Sequence, residues 1–173
     1  NYAHNPPARE GGPNGVHFTA DETDILTADV FSGQIYKTSV EAGTTQVIYS
    51  HDFGVNTAIE DSTGAIWFTQ STQNITEERL FEAIARPIPD GVLYRLPPVT
   101  DASESTKPEV VLEGLSFANG FYLDESNNRF YLSETLGHRV LAFDLDIAEG
   151  TIANQSTHSA IPSPDNMQLN HDG

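Results

Sequence analysis

The sequence predicts an all-β protein built from propeller blades, and three observations indicate this. Short apolar runs, such as 130–133 and 140–143, alternate with a period of two. Clusters of Gly, Asn, Asp and Ser separate the runs at hairpin spacing. The strand pattern recurs, opening each time at an Asn or Asp, at positions 14, 56, 119 and 165, with intervals of 42, 63 and 46 residues. Repeats of roughly 40–50 residues made of short strands are typical of propeller blades.

Three predicted blades and the start of another follow in order. They lie near 13–50, 55–113 and 117–160, and the further one begins at 164. Three blades cannot close a ring, and an open ring leaves strand edges unpaired, so the sequence is expected to hold about three to four blades of a larger propeller. A single sandwich of about ten strands is the alternative fold that remains open at this point.

The long second interval indicates an insertion in the second blade. Residues 76–85 have a threonine suited to capping, two glutamates in the first turn and three apolar side chains on one helical face. Pro87 and Pro89 end the pattern, so a short helix is predicted over 76–85. An insertion between strands must lie at a rim of the propeller, as a wall of the site or as decoration.

Composition excludes several classes of partner and chemistry. Eight Lys and Arg against 25 Asp and Glu give a net charge of −17, which argues against nucleic acid and anionic membranes. The absence of cysteine excludes disulfides and thiolate catalysis. No apolar run is long enough for a membrane span. A small-molecule substrate is expected; the oligomeric state and the compartment stay open, with a secreted or periplasmic location favoured over the cytoplasm.

The residues that open successive blades form the candidate site. First strands line the channel of a propeller, so the residues at these positions should converge: Asn14, Asn56, Asn119, Asp165 and Asn166. Amide and carboxylate oxygens without Cys or clustered His suit a hard cation, and Ca²⁺ first. Each residue taken singly is also a common turn former, but turn chemistry does not require repetition at equivalent positions. The sequence therefore predicts a calcium site at the channel.

Four segments together resemble a known superfamily. These are FANG at 117–120, LSET at 132–135, PDNM at 164–167 and DSTGAIWFT at 61–69. They resemble strictosidine synthase-like proteins and, more distantly, the paraoxonases and the gluconolactonase/regucalcin group. The resemblance implies a six-bladed propeller with calcium at the mouth of its channel.

The resemblance also implies roles for particular residues. Asn56, Asn119, Asp165 and Asn166 would surround the calcium, and a glutamate expected from a blade outside these residues would complete it. Asp165 would supply charge and act as the catalytic base. Asn14 and Asp29 stand where the paraoxonases have a histidine dyad, so that catalytic arrangement is not expected here.

Three further assignments concern other polar residues. Asn14 is expected to contact the substrate. Asp29 is a catalytic candidate, because its position faces the substrate pocket in the gluconolactonase group, and otherwise it is a turn acceptor. Ser32, Ser71 and Ser133 lie in no nucleophile-elbow motif, so no serine is assigned a catalytic role.

The function expected from these features is a calcium-dependent hydrolase acting on a lactone or an ester, with the ion as Lewis acid. Two alternatives stay open. One is a carbon–nitrogen condensing enzyme of the strictosidine synthase type, whose catalytic glutamate would belong to a blade outside these residues. The other is a non-catalytic propeller in which calcium is structural and the rim binds a partner.

Overall fold

The computed structural model of the 173-residue chain describes residues 11–73, 85, 88–98 and 107–168. These residues form three antiparallel sheets of four strands, each a meander in which consecutive strands pair. Three successive four-stranded meanders are the arrangement of propeller blades, so the predicted fold class is confirmed. The alternative of one ten-stranded sandwich is wrong, because the strands divide into three sheets instead of two packed faces.

The strands follow the chain in order. The first blade consists of β1 Pro13–Phe18, β2 Asp24–Asp29, β3 Gln34–Ser39 and β4 Thr45–Ser50. The second consists of β5 Thr57–Glu60, β6 Ile66–Gln70, β7 Gly91–Leu96 and β8 Glu109–Leu115. The third consists of β9 Ala118–Asp124, β10 Arg129–Glu134, β11 Arg139–Asp146 and β12 Thr151–Ala160, with a 3₁₀ turn at Glu125–Asn127.

Two parts of the predicted pattern differ from the structure or fall outside it. Residues 164–168, expected to open a further strand, are not in a strand. The helix predicted over 76–85 lies outside the described residues, except for Ala85, which is helical. Within the described part of the chain, no helix is long and apolar enough to span a membrane.

The cores lie between the blades, and β6 contributes to both of them. Trp67 packs with Phe121 and Phe130 of the third blade, while the next residue, Phe68, packs with Leu26 of the first. Successive side chains of a strand point to opposite faces, so a strand whose sheet lies between two others is covered at every position. This is why all five residues of β6 are buried. Each fully buried aromatic side chain contributes about 1.5–3 kcal/mol of transfer free energy.

An aspartate closes the first hairpin of every blade. Asp21 and Asp61 each accept a hydrogen bond from a backbone N–H two residues on, and Asp124 from one three residues on. Asp61 is fully buried, and its second oxygen accepts from Trp67 Nε1 at 2.8 Å and lies 3.7 Å from Arg95 Nε. The turn of the second blade is therefore anchored to the core, which fixes where β5 and β6 end.

Candidate functional site

The residues at the starts of the three blades, together with the segment 164–168, surround one cavity of about 200 Å³. Four of the residues singled out in the sequence line it together: Asn14, Asn56, Asn119 and Asp165. Asn14 and Asn119 lie within β1 and β9, so they are strand residues and not the turn formers that an Asn-Gly pair usually indicates.

Hydrogen bonds between neighbouring blades hold the starts of their first strands together. Gly15 N and Asn14 Nδ2 both donate to the carbonyl of Asn56, at 2.9 and 3.2 Å. Thr69 Oγ1, from the second strand of the second blade, donates to the carbonyl of Asn119 at 2.9 Å. The first blade thus donates to the carbonyl of Asn56 at the start of the second, and the second blade donates to the carbonyl of Asn119 at the start of the third. These bonds fix the positions of the amide side chains on the cavity wall.

The third blade makes the same kind of tie to the segment 164–168. Thr135 Oγ1 accepts from Asn119 Nδ2 at 3.0 Å and donates to the carbonyl of Pro164 at 2.8 Å. A Cβ on Gly120 would lie 2.7 Å from the Cα of Asn166 and 3.0 Å from the carbonyl oxygen of Asp165. Only glycine allows this approach of two backbones, so Gly120 places Asp165 at the cavity.

The side-chain oxygens of Asn56 and Asn119 are both able to bind a metal ion. Asn56 and Asn119 are each 5% exposed. Asn56 Oδ1 accepts from Thr57 Oγ1 at 3.1 Å, and Asn119 Oδ1 accepts from Gly120 N at 2.9 Å. An amide oxygen has two lone pairs, so each retains one for a ligand. Asn166, which the sequence grouped with these residues, is exposed and does not line the cavity; its Oδ1 lies 3.5 Å from Thr57 Oγ1.

The donor set of the wall fits a hard cation by its chemistry. Three amide groups and the carboxylate of Asp165 supply oxygen donors of the kind that Ca²⁺ prefers. No group of three or more His, Cys, Asp or Glu comes together among the described residues. Those residues therefore give the site one negative charge, and a divalent ion calls for a further carboxylate.

Asp29 has the role of a turn acceptor. It is 1% exposed, with Oδ2 accepting from Gly12 N at 3.0 Å and Oδ1 accepting from the N–H groups of Phe31 and Ser32 at 2.9 and 2.7 Å. Its main-chain carbonyl accepts from Val55 N at 3.0 Å, next to Asn56. Three backbone donors occupy the carboxylate, so the geometry does not support the catalytic assignment and Asp29 serves to hold the loop beside the cavity.

Ser71 and Phe117 are two of the wall residues that the sequence did not assign to the site. Ser71 follows β6, is 7% exposed, and its hydroxyl has no hydrogen-bond partner in the described part of the chain. Phe117 precedes β9 with a φ of 65°, a left-handed conformation that is rare for a non-glycine residue and typical of functional sites. Burial and backbone strain are properties of the folded chain, so only the position of Ser71 at the channel end of a strand could have pointed to it.

Comparison with protein-family models identifies a family for this chain. The family described as SMP-30/gluconolactonase/LRE-like region matches residues 49–173, which is most of the chain. The chain belongs to this family. The match includes the second and third blades and the cavity residues Asn56, Asn119 and Asp165.

Similar proteins extend the comparison to the first blade. The Arabidopsis thaliana protein named strictosidine synthase-like 13 is 24% identical over an alignment of 169 residues, and the match covers 94% of this chain and 40% of that protein. The structure of a gluconolactonase from Xanthomonas campestris shares the fold with a TM-score of 0.65 and 19% identity, over 89% of this chain and 51% of that one. The chain thus spans about half, or less, of each relative. The three blades of this chain match about half of the bacterial enzyme's chain, which agrees with a propeller of six blades.

Proposed function

We propose that the cavity binds Ca²⁺ and that the protein is a hydrolase of small lactones or esters. One observation carries the proposal, namely that Asn14, Asn56 and Asn119, from the starts of three successive blades, meet Asp165 of the segment 164–168 at one cavity. Membership of the SMP-30/gluconolactonase family and the fold shared with a bacterial gluconolactonase support the reaction class.

The proposed roles follow from the surroundings of each side chain. Asn56 and Asn119 are buried and hold the ion with their free lone pairs. Asp165 is exposed at the cavity, supplies the compensating charge, and takes the proton of the attacking water. Asn14 is exposed on the wall and orients the substrate. A bound calcium ion would polarise the substrate carbonyl and stabilise the oxyanion.

The lining of the cavity suits a small lactone or ester. Val30 and Phe117 add apolar surface beside the polar groups. A lactone ring or a short ester presents the same combination of an apolar body and a polar carbonyl.

The first test is a calcium titration by calorimetry on the full-length protein, combined with a panel of small lactones and esters assayed before and after chelation. We expect one calcium site and turnover that is lost with the chelator and restored by Ca²⁺. Absence of calcium binding would contradict the proposed site. Calcium binding without hydrolysis of any panel member would contradict the proposed reaction.

The second test replaces the one carboxylate of the described wall. Asp165→Asn removes the charge at almost constant volume, so calcium affinity should fall by at least 100-fold and turnover should fall with it. Asp146→Asn is the matched control, because Asp146 is exposed at the far end of β11, away from the blade openings. Unchanged calcium affinity in the Asp165 variant would show that the ion is held elsewhere.

The strictosidine synthase-like relative favours one second candidate, a carbon–nitrogen condensing enzyme. The cavity would then hold an amine and an aldehyde in place of an ester. An amine and aldehyde pair added to the substrate panel distinguishes the two reactions. If calcium binds and the panel shows neither reaction, the ion is structural and the propeller is a binding module.

A further inference from the structure

Ser71 carries a buried hydroxyl for which the described residues supply no hydrogen-bond partner. The residue is 7% exposed and lines the same cavity as Asn56 and Asp165. A buried hydroxyl without a partner costs free energy, and native proteins keep few of them. Those that remain at a cavity are suited to a ligand that supplies the missing partner.

The surroundings hold this residue in place. Ser71 follows directly on β6, whose last residue Gln70 pairs with Val92 of β7. A Cβ on Gly91 would lie 2.9 Å from the carbonyl oxygen of Ser71, so the backbones are in close contact. On the other side, Thr72 Oγ1 donates to Asp90 Oδ2 at 3.0 Å. Ser71 is thus held from both sides on the wall of the cavity.

A nucleophilic role does not fit this environment. A catalytic serine needs a base within hydrogen-bond reach of its hydroxyl, in turn oriented by a third group. Among the described residues, Ser71 Oγ has no partner of any kind. The hydroxyl is therefore available as a neutral donor and not as an activated nucleophile.

We propose that Ser71 is a substrate-positioning residue, whose hydroxyl donates a hydrogen bond to an oxygen of the lactone or ester bound in the cavity. This inference rests on the proposed function and adds a residue to it. The interaction orients the carbonyl group relative to Asp165 and leaves the ion to Asn56 and Asn119. No bond to Ser71 forms or breaks during turnover.

The test compares Ser71→Ala with Ser133→Ala in the full-length protein. Ser133 is also buried, at 1% exposed, in the second strand of the next blade, but it does not line the cavity. Ser71→Ala should lower kcat/KM by about tenfold, mainly through a higher KM, with calcium affinity unchanged. It should also keep or raise Tm in the absence of substrate, because the unpaired hydroxyl is removed. Ser133→Ala should leave kcat/KM unchanged.

Each contrary result has a distinct meaning. Turnover equal to wild type in Ser71→Ala shows that the hydroxyl does not contact substrate, and weaker calcium binding shows that it ligates the ion. Either result overturns the inference while the proposed function stands. A wild-type protein that hydrolyses nothing removes the proposed function instead. The unfolding experiment needs no substrate, so a fall in the Tm of Ser71→Ala decides against the inference even then.

Discussion

His51 shows how one side chain joins two blades. It follows β4, and its ring packs edge-on against Phe68 and Tyr94 of the second blade, with centroid distances of 5.3 and 4.8 Å. Its Nε2 lies 3.0 Å from Gln70 Oε1. An amide oxygen only accepts, so Nε2 carries the proton. Burial lowers the pKa of His51, and the hydrogen bond to Gln70 and the charge of Asp52 oppose this only in part.

The lowered pKa of His51 predicts a loss of stability in acid. The ordinary pKa of 6.5 applies to the unfolded chain, and the folded value is lower. Between these values the unfolded chain binds more protons, so stability rises with pH there and is lost as the pH falls below about 6.5. Replacing His51 by Gln should reduce this loss, which thermal unfolding between pH 7.5 and 4.5 measures. Burial also lowers the pKa of His17, so the part of the acid sensitivity that comes from His17 remains in this variant.

The control for this prediction is His158→Gln, because His158 is exposed on β12. This variant should keep the acid sensitivity of the wild type. If His51→Gln loses as much stability as the wild type between pH 7 and 5, the neutral imidazole between the blades is not the cause.

At the scale of single elements, prediction succeeded where sequence and burial agree. The apolar runs 130–133 and 140–143 lie inside β10 and β11 and match their ends to within three residues, because most of the residues in these runs are buried. The outer strand β12 has ten residues, mostly polar and exposed, so it carries no apolar period. Its pairing with β11, interrupted by bulges, supplies the stability that its own sequence lacks.

The candidate site was predictable only in part for a similar reason. Repetition along the sequence was enough to group Asn14, Asn56, Asn119 and Asp165. The unpaired hydroxyl of Ser71 depends on neighbours brought in by β7 and on burial between blades, which no local pattern encodes. For Asp29, both the catalytic and the turn role were compatible with the sequence, and three backbone donors favour the turn.

Thr135 links two elements of the proposed calcium site, which gives a prediction at this scale. Thr135→Val keeps the shape but leaves the amide of Asn119 and the carbonyl of Pro164 without their partner. The unpaired groups should cost about 1–3 kcal/mol of unfolding free energy. Calcium affinity should fall by about tenfold, as measured by calorimetry, because Asn119 is no longer held.

Thr135→Ser retains the hydroxyl and serves as the control. It should keep the calcium affinity within about twofold of wild type, with a small loss of stability from the missing methyl group. Equal calcium affinity in the valine and serine variants would mean that the hydroxyl does not position Asn119.

For the whole molecule, the three blades form a chain of contacts in which the second lies between the other two. Both core clusters include residues of this blade, on opposite faces of its sheet. Stability in such an array is the sum of the blades and of the interfaces between them. Repulsion between like charges acts over the whole surface, and therefore also on these interfaces. The net charge of −17 makes this repulsion strong.

The charge predicts that monovalent salt stabilises the protein. Four of the eight basic residues form the ion pairs of the described part of the chain, against 25 acidic residues in the sequence. Raising the ionic strength from 0.01 to 1 M shortens the screening length from about 30 to about 3 Å, which removes most long-range repulsion. The Tm should rise by several degrees over this range. The experiment is done with a chelator present, so that competition for calcium does not contribute.

A charge-reduced variant separates screening from other effects of salt. Glu41, Glu113 and Glu149 are exposed and form no ion pair among the described residues. Each replacement by Lys raises the charge by two, so the triple variant has a net charge of −11 in place of −17. It should be more stable than wild type at 0.01 M salt and gain less from added salt. Equal gains in both proteins would assign the stabilisation to salt acting on apolar burial, because that term does not depend on the net charge.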